Sequence, residues 1–345
     1  MAYSTIPKPS VHFNTKLYTG NSSTNAITGV GFQPDWVWIK NRGAGDSHYL
    51  YDAVRGVTKS IYSNLTTAEA TKSNGLTAFG TDGFTLGNEG DINGNGNNFV
   101  SWNWKANGAG SANTDGTTSS TVSANTTADF SIVKWTGTSG NTTIGHGLGV
   151  VPSMVIAKNT GGSGTNWIVW HKSLSNGYYL KLNLTNAQDN ANSYFTADPT
   201  NSILSLTGST AMNNSGNGMI AYCFADVPGY SKFGSYVGNG NTDGTFVYTG
   251  FKPAFVIIKS SSQAETNWVV VDNKREGYNP DNDRLFPDST QAESTSDVVD
   301  LVSNGFKFRS GAGSSNATYS YIYMAFAEEP LVANSGTDGV PATAR

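Results

Sequence analysis

Pro34-Asp35-Trp36-Val37-Trp38-Ile39-Lys40 is a β-branched and aromatic run that closes on lysine, and the chain contains it three times. It returns as Pro152-Ser153-Met154-Val155-Ile156-Ala157-Lys158 and as Pro253-Ala254-Phe255-Val256-Ile257-Ile258-Lys259. Upstream of each copy lies an aromatic strand end and a glycine turn: Tyr18-Thr19-Gly20, Trp135-Thr136-Gly137 and Tyr236-Val237-Gly238. A repeated fold unit outranks any short motif in deciding architecture. It also argues against an enzyme, because an active site rarely needs to be made three times.

The copies match elsewhere too. Phe99-Val100-Ser101-Trp102-Asn103-Trp104-Lys105 aligns with Met219 to Asp226 and with Tyr321 to Glu328. In copy one, Phe99, Ser101 and Asn103 alternate with Val100, Trp102 and Trp104, so one face should be wetter. The closing runs of copies two and three are apolar on both faces and should lie centrally. Tyr49-Leu50-Tyr51-Asp52 corresponds to Trp167 to His171 and to Trp268 to Asp272. Asp82-Gly83-Phe84 and Asn304-Gly305-Phe306 are turn signals before strands. Helical pattern is scarce: Thr66 to Ala70 and Thr290 to Glu293 could each make one or two turns.

The fold class read from this pattern is all-β: three tandem small antiparallel β-sandwich domains, jelly-roll-like, with little helix. The boundaries fall at 1–12 for an N-terminal arm, 13–105 for repeat one and 106–128 for a Gly/Ser/Thr/Asn linker. Repeat two covers 129–226, a short junction 227–231, repeat three 232–330, and a C-terminal tail 331–345. Each repeat is long enough to bury a core of its own.

Composition narrows the function classes. Of the 345 residues only 13% are charged, against a typical ~25%. The 16 Tyr, 16 Phe and 8 Trp exclude a disordered chain. A net charge of −4 gives no basic footprint for nucleic acid. No run of eighteen apolar residues occurs, so no membrane insertion is expected. The N-terminus carries no secretory signature. A single cysteine, Cys223, reads as a small buried hydrophobe in a chain made in a reducing cytoplasm.

Short motifs add little. Asp91-Ile92-Asn93-Gly94-Asn95-Gly96 matches half of a calcium loop, but the twelfth position is Trp102 instead of glutamate. A Gly/Asn hairpin loop is the better reading, and Asp281-Asn282-Asp283 is weaker still. His12, His48, His146 and His171 lack zinc-ligand spacing. No motif calls for a cofactor. One constellation recurs: Asp52 and Arg55 in copy one match Asp272 and Arg275 in copy three, while copy two has His171 and no arginine. A loop-pinning salt bridge is the favoured reading. The functional alternative is a polar rim for sugar hydroxyls beside an aromatic platform such as Tyr51, which makes Tyr51, Asp52, Arg55, Asp272 and Arg275 the ligand-binding candidates.

Several long words carry a resemblance. They are Phe13 to Asn21, Gly31 to Arg42, Tyr51-Asp52-Ala53-Val54-Arg55-Gly56, Phe224-Ala225-Asp226, Tyr230 to Gly234 and Tyr321 to Glu328. Together they resemble bacteriophage tail-fibre-like and virion structural proteins, especially of marine phages, that carry a domain of unknown function. The resemblance covers nearly the whole chain. It implies a non-enzymatic virion protein, assembled in the host cytoplasm, most naturally a tail component such as a fibre, tip or hub-associated part. No active site is assigned in that family, so no catalytic residue carries over.

The expected partners are other virion proteins of tail or capsid, further copies of the chain in a homo-oligomer, and a host-surface glycan held by lectin-like adhesion. Capsid decoration or a head fibre is the alternative. A glycan depolymerase is the weaker one: Glu265, Glu276 and Glu293 all fall in copy three, without a counterpart pair that the sequence can place. What repeats is a fold, so binding should lie in loops where the three copies disagree.

Overall fold

The computed structural model describes residues 5–190, 193–276, 279 and 283–330. It is all-β, built from small antiparallel sheets. Each copy repeats one plan. In copy three, an opening strand (Ser231–Val237) pairs with the closing strand (Ser320–Pro330). That pairs with the lysine strand (Phe251–Ser260), which pairs with a middle strand (Val269–Asp272). Copy one sets Phe13–Thr19, Asn98–Trp104, Trp36–Asn41 and Tyr49–Asp52 in the same order, then adds Lys59–Tyr62 and Ala70–Thr71. Copy two sets Phe130–Thr136, Gly218–Phe224, Met154–Asn159 and Ile168–His171, and extends its sheet on both sides. A three-stranded sheet covers one face of each main sheet. These are Asn25–Thr28, Gly83–Leu86 and Leu76–Gly80; Thr142–Gly145, Ile203–Leu206 and Phe195–Ala197; and Phe246–Tyr248, Gly305–Phe308 and Val299–Val302.

The lysine strands show why both faces are apolar. Side chains alternate across a strand, and here both sides are core. Val37 and Ile39 point to the small sheet of copy one, where they meet Leu76, Phe84 and Leu86. Trp36 and Trp38 point the other way, into a cluster that also holds Ile156 and Tyr222 of copy two and Phe255, Ile257 and Phe326 of copy three. The three main sheets thus turn their second faces onto one shared core. Trp36 stacks on Tyr222 with ring centroids 4.3 Å apart. Trp104 meets Phe255 edge-on at 5.6 Å, and Phe224 meets Phe326 at 6.0 Å. Each large aromatic side chain buries roughly 150–250 Å², or about 4–6 kcal/mol of transfer free energy at ~25 cal/mol per Å². The copies therefore have private cores, as expected, and in addition a common one that the sequence reading did not foresee.

Backbone contacts close the ring. The Glu69 N–H of copy one donates to Thr160 O of copy two at 2.8 Å. Gln188 of copy two does the same to Ser261 O of copy three at 2.9 Å, and Glu293 of copy three to Arg42 O of copy one at 2.8 Å. Thr160, Ser261 and Arg42 each stand two residues beyond the motif lysine. This explains a correction: Thr66 to Ala70 and Thr290 to Glu293 are not helical. Extended backbone lets their amides reach the neighbouring copy. The α-helical turns lie instead at Gly90–Asn93 and Thr210–Asn213, and a 3-10 turn at Pro9–Val11.

The turn glycines have a physical reason. A Cβ on Gly20 would lie 2.2 Å from Gly94 O, on Gly137 2.1 Å from Asn214 O, and on Gly238 2.0 Å from Ala317 O. Each glycine packs flat against a turn headed by a buried asparagine: Asn93, Asn213 or Asn316. The Asn93 amide donates to Ser23 O and Gly87 O, both at 2.7 Å, and Asn316 Nδ2 donates to Asn241 O and Ser310 O, both at 2.9 Å. The half calcium loop of copy one is therefore a structural plug, with Asp91 accepting from the Tyr49 hydroxyl at 2.7 Å.

Two further expectations change. The wetter face expected of Phe99 to Trp104 is buried, because Ser101 and Asn103 face the interior and Asn103 donates to Asn14 O at 3.0 Å. The 106–128 linker contains two strands, Ser111–Asn113 and Ser120–Asn125, that join the sheet of copy two. Tail residues 331–345, the first four of the arm, and Asp281 and Asn282 lie outside the described residues. Cys223 is buried, as expected.

Candidate functional site

The five candidates named from sequence are all interior. Tyr51 and Asp52 are fully buried, Arg55, Asp272 and Arg275 nearly so. Arg55 Nε donates to Asp52 Oδ2 at 2.5 Å, and its other nitrogens reach Leu50 O at 3.0 Å and Lys59 O at 2.9 Å. The remaining capacity of Asp52 faces copy two, whose Tyr222 hydroxyl donates at 2.8 Å. Arg275 repeats the clamp on Asp272 at 2.7 Å, and here Trp102 of copy one donates through Nε1 at 3.0 Å. These groups join copies. The favoured reading, a loop-pinning Asp/Arg salt bridge, is what the structure shows; the alternative of a sugar-binding rim is corrected, because these residues are buried beneath the neighbouring copy's aromatic.

Three buried lysines complete the interior polar set. Lys40 donates to Asn41 O at 2.7 Å and to Ala44 O at 2.8 Å; Lys158 donates to Thr165 O. Lys259 reaches Thr266 O at 2.6 Å and, across the ring, Thr185 O of copy two at 3.1 Å. Burial lowers each ammonium to about 8. Their role is to hold loop carbonyls.

An open site lies elsewhere. At the junction of copies three and one, Asn41, Arg42, Gly43, Ala44, Asn97, Asn98, Glu293 and Thr295 line a depression of about 380 Å³, within the range of small-ligand sites. Arg42 Nη2 holds Glu293 Oε1 at 2.7 Å, and its Nε lies 3.0 Å from both carboxylate oxygens. Arg275 Nη1 holds the same carboxylate at 3.0 Å. Asp283 lies beside them, its Oδ2 3.8 Å from Arg42 Nη2. Burial and the neighbouring Glu293 push the Asp283 carboxyl up. Burial also pushes Glu293 up, but the two guanidiniums outweigh it and hold that carboxyl below its usual range.

A family model described as a domain of unknown function, DUF7483, matches residues 8–330. The chain belongs to that family. No curated protein and no solved structure matches it. The matched span runs across all three copies, as the shared core does.

This family description assigns no chemistry, so the pocket is read from its residues. Its rim is amide, hydroxyl and backbone, with Asn97, Asn98 and Thr295 exposed. Such groups can both donate to and accept from a polyhydroxylated ligand. Of the three acids of the depolymerase expectation, Glu293 is held here by Arg42 and Arg275, while Glu265 and Glu276 are exposed. Among the described residues, no group of three or more His, Cys, Asp or Glu is placed to hold a metal.

Arg42, Asn98 and Thr295 were not singled out from sequence. The signal was present at Arg42, where copies two and three carry Thr160 and Ser261. The other lining residues come from loops whose meeting depends on ring closure, which no single copy encodes.

Proposed function

We propose that the protein is a non-enzymatic structural component of a phage particle, in the tail as a fibre, tip or hub-associated part, with lectin-like contact to host-surface glycan through the junction pocket. The observation that carries the structural half is the ring. Three modules are locked by buried polar contacts around one aromatic core, a build suited to transmitting load and staying folded outside a cell. The adhesive half rests on the polar pocket at the single junction where Arg42 and Glu293 meet. Weak sites on many chains of one particle gain strength through effective concentration.

The structural half is tested by particle reconstruction: density for the ring is expected on the tail. The adhesive half is tested by glycan arrays and host-cell binding with oligomerised protein. Binding that the Asn98→Ala/Thr295→Val double variant removes supports it. Blank arrays and no cell binding refute it and leave the structural half standing.

One observation favours a second reading, capsid decoration. A ring of three like modules matches a threefold axis of a shell, since symmetric assemblies pair like surfaces. Density on the head would decide for it.

A further inference from the structure

The three small sheets end on equivalent edge strands, and their edges differ. In copy two the strand Thr142–Gly145 is covered by the chain's own segment before Ser120. Thr118 bridges Ile144 in parallel, and its N–H donates to Thr143 O at 3.1 Å. Thr143 N–H donates to the Thr117 hydroxyl at 3.0 Å, and Thr117 N–H to the Thr143 hydroxyl at 2.8 Å. This edge has the geometry to take an added strand.

Copy three has no such segment, because the junction before it is only a few residues long. Its edge strand is Phe246–Tyr248. Phe308 N–H donates to Thr245 O at 3.1 Å and Thr249 N–H to Asn304 O at 3.0 Å. Antiparallel ladders alternate, so the backbone groups of Phe246 and Tyr248 point away from the sheet. They have no partner among the described residues. Phe246 C=O is the equivalent of the Thr143 carbonyl that Thr118 satisfies in copy two, since Val247 and Ile144 hold the same place in register. The side chains beside this edge are apolar and exposed: Phe246 at 45%, Tyr248 at 58% and Val237 at 64%. Copy one has Ala26 and Thr28 at the two aromatic positions. Exposed apolar side chains along an unpaired edge are a liability that proteins ordinarily cover, even where the strand is short.

We infer that this edge is covered by a second copy of the chain, through twofold pairing of Phe246–Tyr248 with its counterpart. The register follows from the residues. A twofold axis through Val247 sets Phe246 opposite Tyr248 of the second copy, and Tyr248 opposite Phe246. Both positions have outward backbone groups, so each forms a hydrogen-bonded pair, giving four bonds in all. Opposed residues share a face, so each phenylalanine lies against a tyrosine, a favourable cross-strand pairing. The contact is isologous, as twofold contacts are. Charge does not oppose it, because Lys307 is paired with Asp243 within its own copy at 2.7 Å. A three-residue strand makes a small contact, so the dimer is weak and forms at the high local concentration of an assembled particle.

The test is sedimentation velocity of the full chain from low micromolar to near-millimolar concentration. The weight-average mass is expected to rise towards twice the monomer. Phe246→Ala with Tyr248→Thr, the residues that copy one already carries, is expected to stay monomeric with an unchanged melting temperature. Hydrogen exchange at the amides of 246 and 248 should slow as wild-type concentration rises. Monomer throughout, exchange independent of concentration, or a dimer that the double substitution leaves intact overturns the proposal.

Discussion

Replacing Arg55 with methionine tests whether the buried ion pairs hold the copies together. Arg55 and Asp52 are shut away from water, 2.5 Å apart, beneath Tyr222 of the next copy. Methionine keeps most of the volume and removes the charge. Asp52 is then left in the interior with the Tyr222 hydroxyl and the backbone N–H of residue 55, which donates at 2.8 Å in the wild type. The Leu50 and Lys59 carbonyls also lose a donor. Breaking a buried pair by removing one partner costs about 3–5 kcal/mol, because the other charge is stranded. Removing both charges with Asp52→Asn/Arg55→Met should cost at least ~1 kcal/mol less than the single change, since neighbours in one network are not additive. Tyr222→Phe, which removes one hydrogen bond to a charged group, should cost about 1.5–3 kcal/mol. Urea unfolding followed by tryptophan fluorescence reads all three. A single-variant cost under ~1 kcal/mol, the range of exposed pairs, would refute the reasoning. A double variant no better than the single would refute it equally.

Four other outcomes follow from the same contacts. Calorimetry should show one unfolding transition, because the shared core holds Trp36, Tyr222 and Phe255 together; separate transitions for the copies would contradict a common core. Gly137→Ala places a methyl where Asn214 O stands and should cost about 1–3 kcal/mol or more, whereas Gly216→Ala, with open space around it but a φ of +74°, carries only backbone strain and should cost about 1 kcal/mol. Stability should rise with pH between about 8 and 9: Lys40, Lys158 and Lys259 release protons near 8 when folded and near 10.5 when unfolded, so the unfolded state binds more protons in that window; nearer pH 10 Cys223 and buried tyrosines such as Tyr222, which burial raises, act in the opposite sense. A midpoint in urea that is flat or falls from about pH 8 to 9 would count against it. Cys223, whose thiol burial pushes up to about 12, should resist alkylation in the native protein and react on unfolding; fast native labelling would show that the core opens.

The copies, their strands and their turns were legible because each is local. Alternation in Trp36 to Ile39 and apolar closing runs fix strands, and Gly20, Gly137 and Gly238 mark close turns. The shared core was not legible. A strand apolar on both faces reads the same whether its second cover is a sheet of its own copy or a neighbouring copy, so Trp36 and Trp38 could not say what they faced. The Asp52/Arg55 and Asp272/Arg275 pairs were legible as loop-pinning salt bridges, with a ligand rim as the alternative; what a sequence does not reveal is that Tyr222 and Trp102 lie over them. The junction pocket escaped for the same reason. Its walls come from residues near 42, 98 and 293, which only ring closure brings together.

Ring closure also accounts for the copy that departs from the pattern. On the closing strands, Trp102, Tyr222 and Met324 occupy one register position, opposite Trp38, Ile156 and Ile257 of their own copies. Trp102 and Tyr222 have a donor to offer, and each offers it to an aspartate held by an arginine. Met324 has none. The position it would serve belongs to copy two, and there the chain carries His171 and no arginine. His171 lies 3.2 Å from the Tyr323 carbonyl through Nε2, and its Nδ1 accepts the Ser173 N–H at 3.1 Å. With Nδ1 accepting, the proton sits on Nε2 and points across the junction. Burial lowers the ring to about 3, which keeps it neutral. A buried aspartate facing methionine would have wanted a partner that the neighbour could not supply, and a neutral histidine finds a backbone carbonyl instead. The loss of the Asp/Arg pair in copy two and the methionine in copy three are thus two halves of one solution at a single junction.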